Sequence, residues 1–249
     1  MHPVLFSRGP FTLYSYGFFL ALALFLSLWI AEKRAAGHGV ERGVAGDLVF
    51  LLFLAGLAGA RLFYVLQHAG DYRGGGWRVL DLREGGLVWY GGFLAAAATG
   101  IVYARLRRRP LLGLCDFFAP LAALAQAVGR IGCFFNGCCY GKNAAGGWGV
   151  VFPDRTPARV PVQLYESVAL FAVAIFLFRL SSGRRRPGEI LAAYLFLAGG
   201  SRFFLEFLRG DQTTVACLTI PQWTSLLFVA GAGVLYGAVR KKKTDHGKI

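Results

Sequence analysis

The sequence predicts an all-α polytopic membrane protein, and three observations carry that reading. The 249 residues are 56% apolar and only 16% charged, whereas a soluble domain of this size is nearer half apolar and about a quarter charged. Apolar runs of about 20 residues, the length that crosses roughly 30 Å of hydrocarbon, recur along the chain. The basic residues sit in short clusters between those runs, the pattern of a topology signal. No polar stretch is long enough for a separate soluble domain. Residues 1–249 therefore read as one membrane domain with a short basic tail at 240–249. The net charge of +14 is not gathered on the face of a soluble fold, which argues against nucleic acid as a partner.

Seven spans are expected, at Phe11–Ala31, Asp47–Leu66, Leu87–Tyr103, Leu111–Val128, Val162–Leu180, Glu189–Leu208 and Pro221–Val239. Each must be helical, because backbone polar groups in lipid have to pair within their own segment. The first run follows a start whose one charge is Arg8. It lacks the basic front end and the cleavage site of a secretory signal, so it reads as a retained span. One set of loops carries Lys33, Arg34 and Arg42, then Arg105, Arg107, Arg108 and Arg109, then Arg179, Arg184, Arg185 and Arg186, and finally Arg240, Lys241, Lys242, Lys243 and Lys248. The other set carries Arg8, Arg73, Arg78, Arg83, Arg130, Lys142, Arg155, Arg159 and Arg209. The more basic side faces the cytoplasm. That places the C-terminus inside and, with seven spans, the N-terminus outside, with two long loops, 67–86 and 129–161, on the outer face.

Ionisable groups are costly inside a bilayer, so their depth is informative. With this orientation Tyr16, Arg61, Tyr90, Gln126, Arg130, Gln163, Glu166, Arg202, Glu206, Arg209 and Gln222 all fall near the outer face. Arg202, Glu206 and Arg209 are spaced i, i+4, i+7 and share one helix face. Arginine presents a planar fork of donors that matches phosphate oxygens. Glu166 and Glu206 would limit repulsion among three such cations. A wet hollow that grips a phosphate is one reading of this layer; structural ion pairs and interfacial anchors are the plainer one.

The segment GRIGCFFNGCCYG, Gly129–Gly141, leaves the fourth span for an outer loop. Its glycines permit tight turns and close backbone approach, and Arg130 and Asn136 add a charge and an amide. The segment resembles the signature of the prolipoprotein diacylglyceryl transferase family, approximately GRxGNFxNxExxG, at Gly129, Arg130, Gly132, Phe134, Asn136 and Gly141. Other family-like pieces follow the same order: Tyr16–Gly17, GARLFYVL at Gly59–Leu66, EGGLVWYGG at Glu84–Gly92, PVQLYE at Pro161–Glu166 and RFFLEFLRGDQ at Arg202–Gln212.

The resemblance implies a multi-pass protein of the bacterial inner membrane. Such an enzyme moves the diacylglyceryl group of phosphatidylglycerol onto the thiol of a lipobox cysteine in a preprolipoprotein signal peptide. A thioether forms, glycerol phosphate leaves, and no cofactor or metal takes part. Its partners are phosphatidylglycerol, the signal peptide and membrane lipids. On this resemblance Arg130, Arg202 and Tyr90 are the expected catalytic residues. Tyr16, Arg61, Asn136, Gly141, Glu206 and Arg209 are expected to bind substrate, with a structural role for Arg61 equally open.

The chain departs from the family pattern in two places. Tyr90 stands where the family usually has a histidine, and an unperturbed tyrosine titrates near 10, far from neutral pH. Cys133 and Cys138 stand where the signature has Asn and Glu. With Cys139 and the later Cys217 they offer outer thiols in an oxidising compartment. A disulfide from Cys138 or Cys139 to Cys217 is expected, with inert thiols as the alternative. Zinc is not expected, because paired CxxC spacing and a nearby histidine are both missing. These departures keep two further readings in view: a paralogue that binds lipid or lipoprotein without chemistry, and a membrane thiol–disulfide redox protein.

Overall fold

The computed structural model describes residues 2–9, 11–38, 40, 43–72, 76–81, 85–144, 149–152, 155–210 and 213–246. Glu84, Asp211 and Gln212 of the family-like pieces, and Arg42, Arg73, Arg83 and Lys248 of the loops, lie outside the described residues. Seven α-helices occur among those described: α1 Ser15–Ala35, α2 Val44–Gln67, α3 Trp89–Leu106, α4 Leu111–Asn136, α5 Val162–Leu180, α6 Glu189–Glu206 and α7 Ile220–His246. Three two-stranded antiparallel hairpins accompany them. The first, β1 Val4–Arg8 with β2 Phe11–Tyr14, precedes α1. The second, β3 Val150–Phe152 with β4 Arg155–Arg159, lies between α4 and α5, and the third, β5 Thr214–Val215 with β6 Leu218–Thr219, between α6 and α7.

By length and composition, α1, α2, α4, α5 and residues Ile220–Lys241 of α7 are apolar enough to cross a membrane. The two others are the shortest, at 18 residues each. Helix α3 opens on Trp-Tyr-Gly-Gly, and α6 carries Glu189, Arg202 and Glu206, which lowers their apolar content. Large apolar side chains such as Phe25, Leu62, Val168, Leu227 and Val234 are exposed along the helices. A water-soluble surface rarely tolerates that much apolar area; a hydrocarbon surround accepts it.

Several boundaries differ by four residues or more from those read in the sequence, one of them the end of α7, which continues past Val239 to His246 through the basic segment. Residues Phe11–Tyr14 pair with β1, so the first helix starts at Ser15. The fourth helix runs on through Gly129–Asn136, so most of the signature segment is helical and not loop. Pro120 interrupts no more than its own hydrogen bond, and the helix continues around it.

The contacts group the chain into two compact units, Leu28–Leu114 and Met1–Ser27 together with Cys115–Ile249. In the first, α2 and α3 pack through small residues. A Cβ on Gly59 would stand 2.6 Å from the Gly91 carbonyl oxygen, and one on Gly92 would stand 2.9 Å from that of Gly56. Such approach of backbones is how apolar helices associate where lipid removes the hydrophobic drive. Glu32, near the end of α1, accepts the backbone N–H of Gly43 at 3.0 Å and of Gly46 at 3.1 Å, which satisfies donors at the start of α2.

The second unit repeats that device. Asp116 of α4 is buried and accepts the N–H of Gly188 and of Leu191, both at 2.7 Å. It thereby caps α6 from a neighbouring helix, with a carboxylate at the positive end of the helix dipole. A core of Ala119, Ala123, Val173, Ala174, Leu177 and Ile190 joins α4, α5 and α6. Ser167 of α5 donates to the Ala127 carbonyl of α4 at 2.9 Å, and Gln126 of α4 donates to the Tyr194 hydroxyl of α6 at 2.6 Å. These ties hold the three helices side by side.

Gly59→Ala is expected to lower stability by about 1–3 kcal/mol, because the new methyl meets backbone that has little room to move. Gly100→Ala on α3, whose Cβ would meet only Leu52 at 3.7 Å, is the neutral control. Thermal denaturation in detergent distinguishes the two.

Candidate functional site

The ends of α4, α5 and α6 carry an alternating line of charge. Glu166, in the first turns of α5, is buried and pairs with two cations. Its Oε2 lies 2.6 Å from Nε of Arg130, and its Oε1 meets Nη1 of Arg202. Arg202 turns its other nitrogen to Glu206, with Nη2 at 2.7 Å from Oε2. The same Glu206 oxygen lies 3.9 Å from Nε of Arg209, and Glu206 Oε1 accepts the Thr219 hydroxyl at 3.0 Å. The order is Arg130, Glu166, Arg202, Glu206, Arg209. Three guanidiniums and two carboxylates leave one positive charge in excess.

Exposure divides the five. The side chains of Glu166 and Glu206 are 4% and 0% exposed, and that of Arg209 is 5%. Those of Arg130 and Arg202 keep 26% and 24%. The carboxylates are therefore internal struts, while Arg130 and Arg202 present the accessible faces of the line. One surplus positive charge on two part-exposed guanidiniums suits a single anionic phosphodiester.

Arg209 and Gly141 serve a crossing of three backbone segments. Gly141 donates to the Val160 carbonyl at 2.8 Å, Val160 donates to Lys142 at 3.0 Å, and Lys142 donates to Leu208 at 2.8 Å. Gly141 and Arg209 face each other as an isolated bridge. A Cβ on Gly141 would sit 2.6 Å from the Leu208 carbonyl oxygen and 2.8 Å from that of Val160. Glycine is required there by the close approach of main chains.

Asn136 ends α4 and is exposed. The chain then reverses in a Schellman turn. Gly137, with φ 74°, donates to the Phe134 carbonyl at 3.1 Å, and Cys138 donates to that of Cys133 at 3.2 Å. That motif brings the side chains flanking its outer hydrogen bond together, here Cys133 and Cys138. Cys139 takes a left-handed φ of 62°, and its thiol returns to the other two. The three Sγ atoms lie within 4.8 Å of one another. Gln163, fully buried on α5, fixes the turn by donating to the Cys138 carbonyl at 2.5 Å, and the Cys138 thiol donates to the Cys133 carbonyl at 3.6 Å. The Cys139 thiol is held well below the usual thiol range, chiefly by hydrogen bonds from Cys133 and Cys138 and then by the positive charges of Arg209 and Arg130.

All five cysteines are free thiols. Cys217 sits exposed at the tip of β5–β6, where Ala216 and Cys217 both have positive φ, as a two-residue type I′ turn demands. It does not join the trio, so the outer disulfide expected from Cys138 or Cys139 to Cys217 is not formed. Spacing alone missed the trio. The sign was present in Asn136–Gly137: a glycine just past a helix end brings the residues four before and one after it together.

Tyr16, on α1, stands against the same end of α4. A Cβ on Gly132 would lie 3.5 Å from its ring and 3.0 Å from Phe19. Arg61 and Tyr90 belong to the unit Leu28–Leu114. Arg61 is buried, and its guanidinium donates to the carbonyls of Val79 and Arg78 at 2.7 Å, of Gly85 at 2.8 Å and of Gly86 at 3.3 Å. It organises the loop between α2 and α3, the structural side of the two roles open for it. Tyr90 is half-buried in the first turn of α3, edge-on to Trp89.

A cavity of about 520 Å³ lies elsewhere, between α5, α6 and α7 beside Glu189 and Arg240. Glu189 opens α6 thirteen residues before Arg202, about 20 Å away along the helix. That cavity is walled largely by Ala, Phe and Leu and holds none of the signature residues.

The profile of the prolipoprotein diacylglyceryl transferase family matches residues 3–237. This chain belongs to that family. It is 31% identical over 235 residues to the phosphatidylglycerol–prolipoprotein diacylglyceryl transferase of Clostridium tetani, covering 92% of this chain and 94% of that protein. The enzyme of the same name from Parasynechococcus marenigrum is 34% identical over 230 residues, 87% of this chain and 83% of its own length. That of Bacillus cytotoxicus is 32% identical over 250 residues, covering 96% and 92%. Membership and the apolar helices together make this a multi-pass membrane transferase.

Glu166→Gln is expected to destabilise the protein by about 3–5 kcal/mol, because two guanidiniums then lose the carboxylate between them. The thermal midpoint in detergent should fall with it. An unchanged midpoint would contradict the strut role.

Proposed function

We propose that this chain transfers the diacylglyceryl group of phosphatidylglycerol to the lipobox cysteine of prolipoproteins at the outer face of the bacterial inner membrane. The observation that carries the reading is the Arg–Glu line with its single surplus charge and its two accessible arginines. Phosphatidylglycerol is a monoanionic phosphodiester, the charge that this line lacks.

In the reaction the substrate thiolate attacks the diacylglyceryl methylene carbon. A C–S bond forms, the C–O bond to phosphate breaks, and its electron pair leaves with glycerol phosphate. The phosphate gains one negative charge as it departs. Arg130 and Arg202 are the donors that stabilise it, already oriented by Glu166 and Glu206, so little rearrangement is needed as charge develops. Tyr90 takes the thiol proton in this scheme. Tyr16 and Asn136 border the lipid headgroup, while Gly141, Arg209 and Arg61 hold the backbone that shapes the pocket.

The topology belongs to the same proposal. All seven helices cross the membrane, α3 and α6 included, with β1–β2 outside and the basic end of α7 in the cytoplasm. That orientation puts Arg130, Glu166 and Arg202 near the outer headgroups, where the substrate cysteine emerges.

The test is a purified assay. Protein in vesicles containing phosphatidylglycerol is given a peptide with a lipobox cysteine, and glycerol phosphate release is measured. Arg130→Ala should lower the rate about 10²–10³-fold, the loss typical of a removed charge-stabilising donor. Tyr90→Phe should cost at least about 10²-fold. A wild-type protein that binds lipid without releasing glycerol phosphate would favour the non-catalytic paralogue. Reporter fusions that place the α7 tail outside would refute the orientation.

A further inference from the structure

The cysteine trio plays no part in the transfer scheme. It lies one helical turn from Arg130 on α4 and is built into backbone geometry. The Schellman turn fixes Cys133 against Cys138, the left-handed Cys139 returns a third sulfur, and Gln163 pins the turn from α5. Left-handed backbone costs a non-glycine residue about 1 kcal/mol or more and persists where the surroundings over-determine it. All three thiols are half-buried, so they are sheltered yet reachable.

We propose that Cys133, Cys138 and Cys139 bind one zinc ion as thiolates and leave its fourth position open to the substrate's thiol. The fourth ligand rests on the transferase reading; the three-sulfur site does not. Zinc–sulfur bonds of about 2.3 Å place tetrahedral sulfurs roughly 3.8 Å apart. The three Sγ atoms, within 4.8 Å of one another, need to close by at most about 1 Å, which χ1 adjustments supply. Binding is Zn²⁺ plus three thiols giving a complex of charge −1 and three protons. Three protein ligands with one open position is the arrangement of catalytic zinc, whereas structural sites close with four.

An incoming cysteine thiol that takes the fourth position loses its proton to solvent or base and becomes a zinc-bound thiolate at neutral pH. That sulfur attacks the diacylglyceryl carbon and displaces glycerol phosphate. The thioether product is neutral, a far weaker ligand than a thiolate, and dissociates. The same zinc centre then accepts the next thiol.

The experiment uses full-length protein purified in detergent under a thiol-free phosphine reductant. Cobalt(II) replaces zinc as a coloured probe. The expected result is one metal per chain with sulfur-to-cobalt charge-transfer absorption, retained in Cys217→Ser and lost in Cys133→Ser, Cys138→Ser and Cys139→Ser. Thermal midpoints of those variants without metal show whether each is folded. Adding a lipobox peptide should shift the visible cobalt bands, and the same peptide with serine for cysteine should not. Failure of the reduced protein to bind metal, binding undiminished in Cys133→Ser, or a disulfide within the trio of protein isolated from cells overturns the site. Bands unmoved by the thiol peptide overturn the open position. Transfer of diacylglyceryl by metal-free protein overturns the zinc step while leaving the transferase function standing.

Discussion

Glu166 sits at the centre of the structure because two guanidiniums converge on one buried carboxylate. A lone carboxylate at that depth would carry a heavy desolvation cost, and so would either arginine. Paired, they bind three elements into one object: Arg130 comes from α4, Glu166 from α5 and Arg202 from α6. The small-residue core of α4, α5 and α6 brings those helix ends close enough to meet. Asp116 holds the opposite end of α6 in place. Positioning of this charge is thus a product of packing along the whole helix, not of the loops beyond it.

A second consequence of the ion-pair line is division of labour by exposure. A carboxylate that is wholly enclosed cannot be neutralised by solvent ions, so it keeps its arginines aligned. An arginine that is one-quarter exposed still has donors to offer. The separation of orienting groups from contacting groups is what allows a site to be preorganised before its ligand arrives.

Much of this was legible in the sequence. Helices lie over each of the seven runs read as spans, five of them long and apolar enough to cross a membrane, and the i, i+4, i+7 spacing of Arg202, Glu206 and Arg209 put them on one face. The depth of the ionisable groups along the spans placed Arg130, Glu166 and Arg202 in one layer. What was not legible has physical causes. Residues Phe11–Tyr14 are apolar enough to extend a helix, and only their pairing with β1 removes them from it. Helix α4 continues past Val128 because neither Gly129 nor Gly132 is followed by a stop signal before Asn136–Gly137. Both roles stayed open for Arg61 because its four carbonyl partners come from a loop about 20 residues away. The cysteine trio lacks CxxC spacing; the reversal at Gly137 achieves proximity at separations of five and six.

The crossing at Gly141 has an implication for how such a protein changes over time. Three strands of main chain are joined there by amide-to-carbonyl bonds that no side chain contributes to. The turn that bears Cys133 and Cys138 is likewise closed by peptide groups. A scaffold whose shape is written in its backbone is strict at its glycines and places few demands on the side chains beside them. Cys133 and Cys138, which stand where the family signature has an amide and a carboxylate, can therefore differ from it without redrawing that frame.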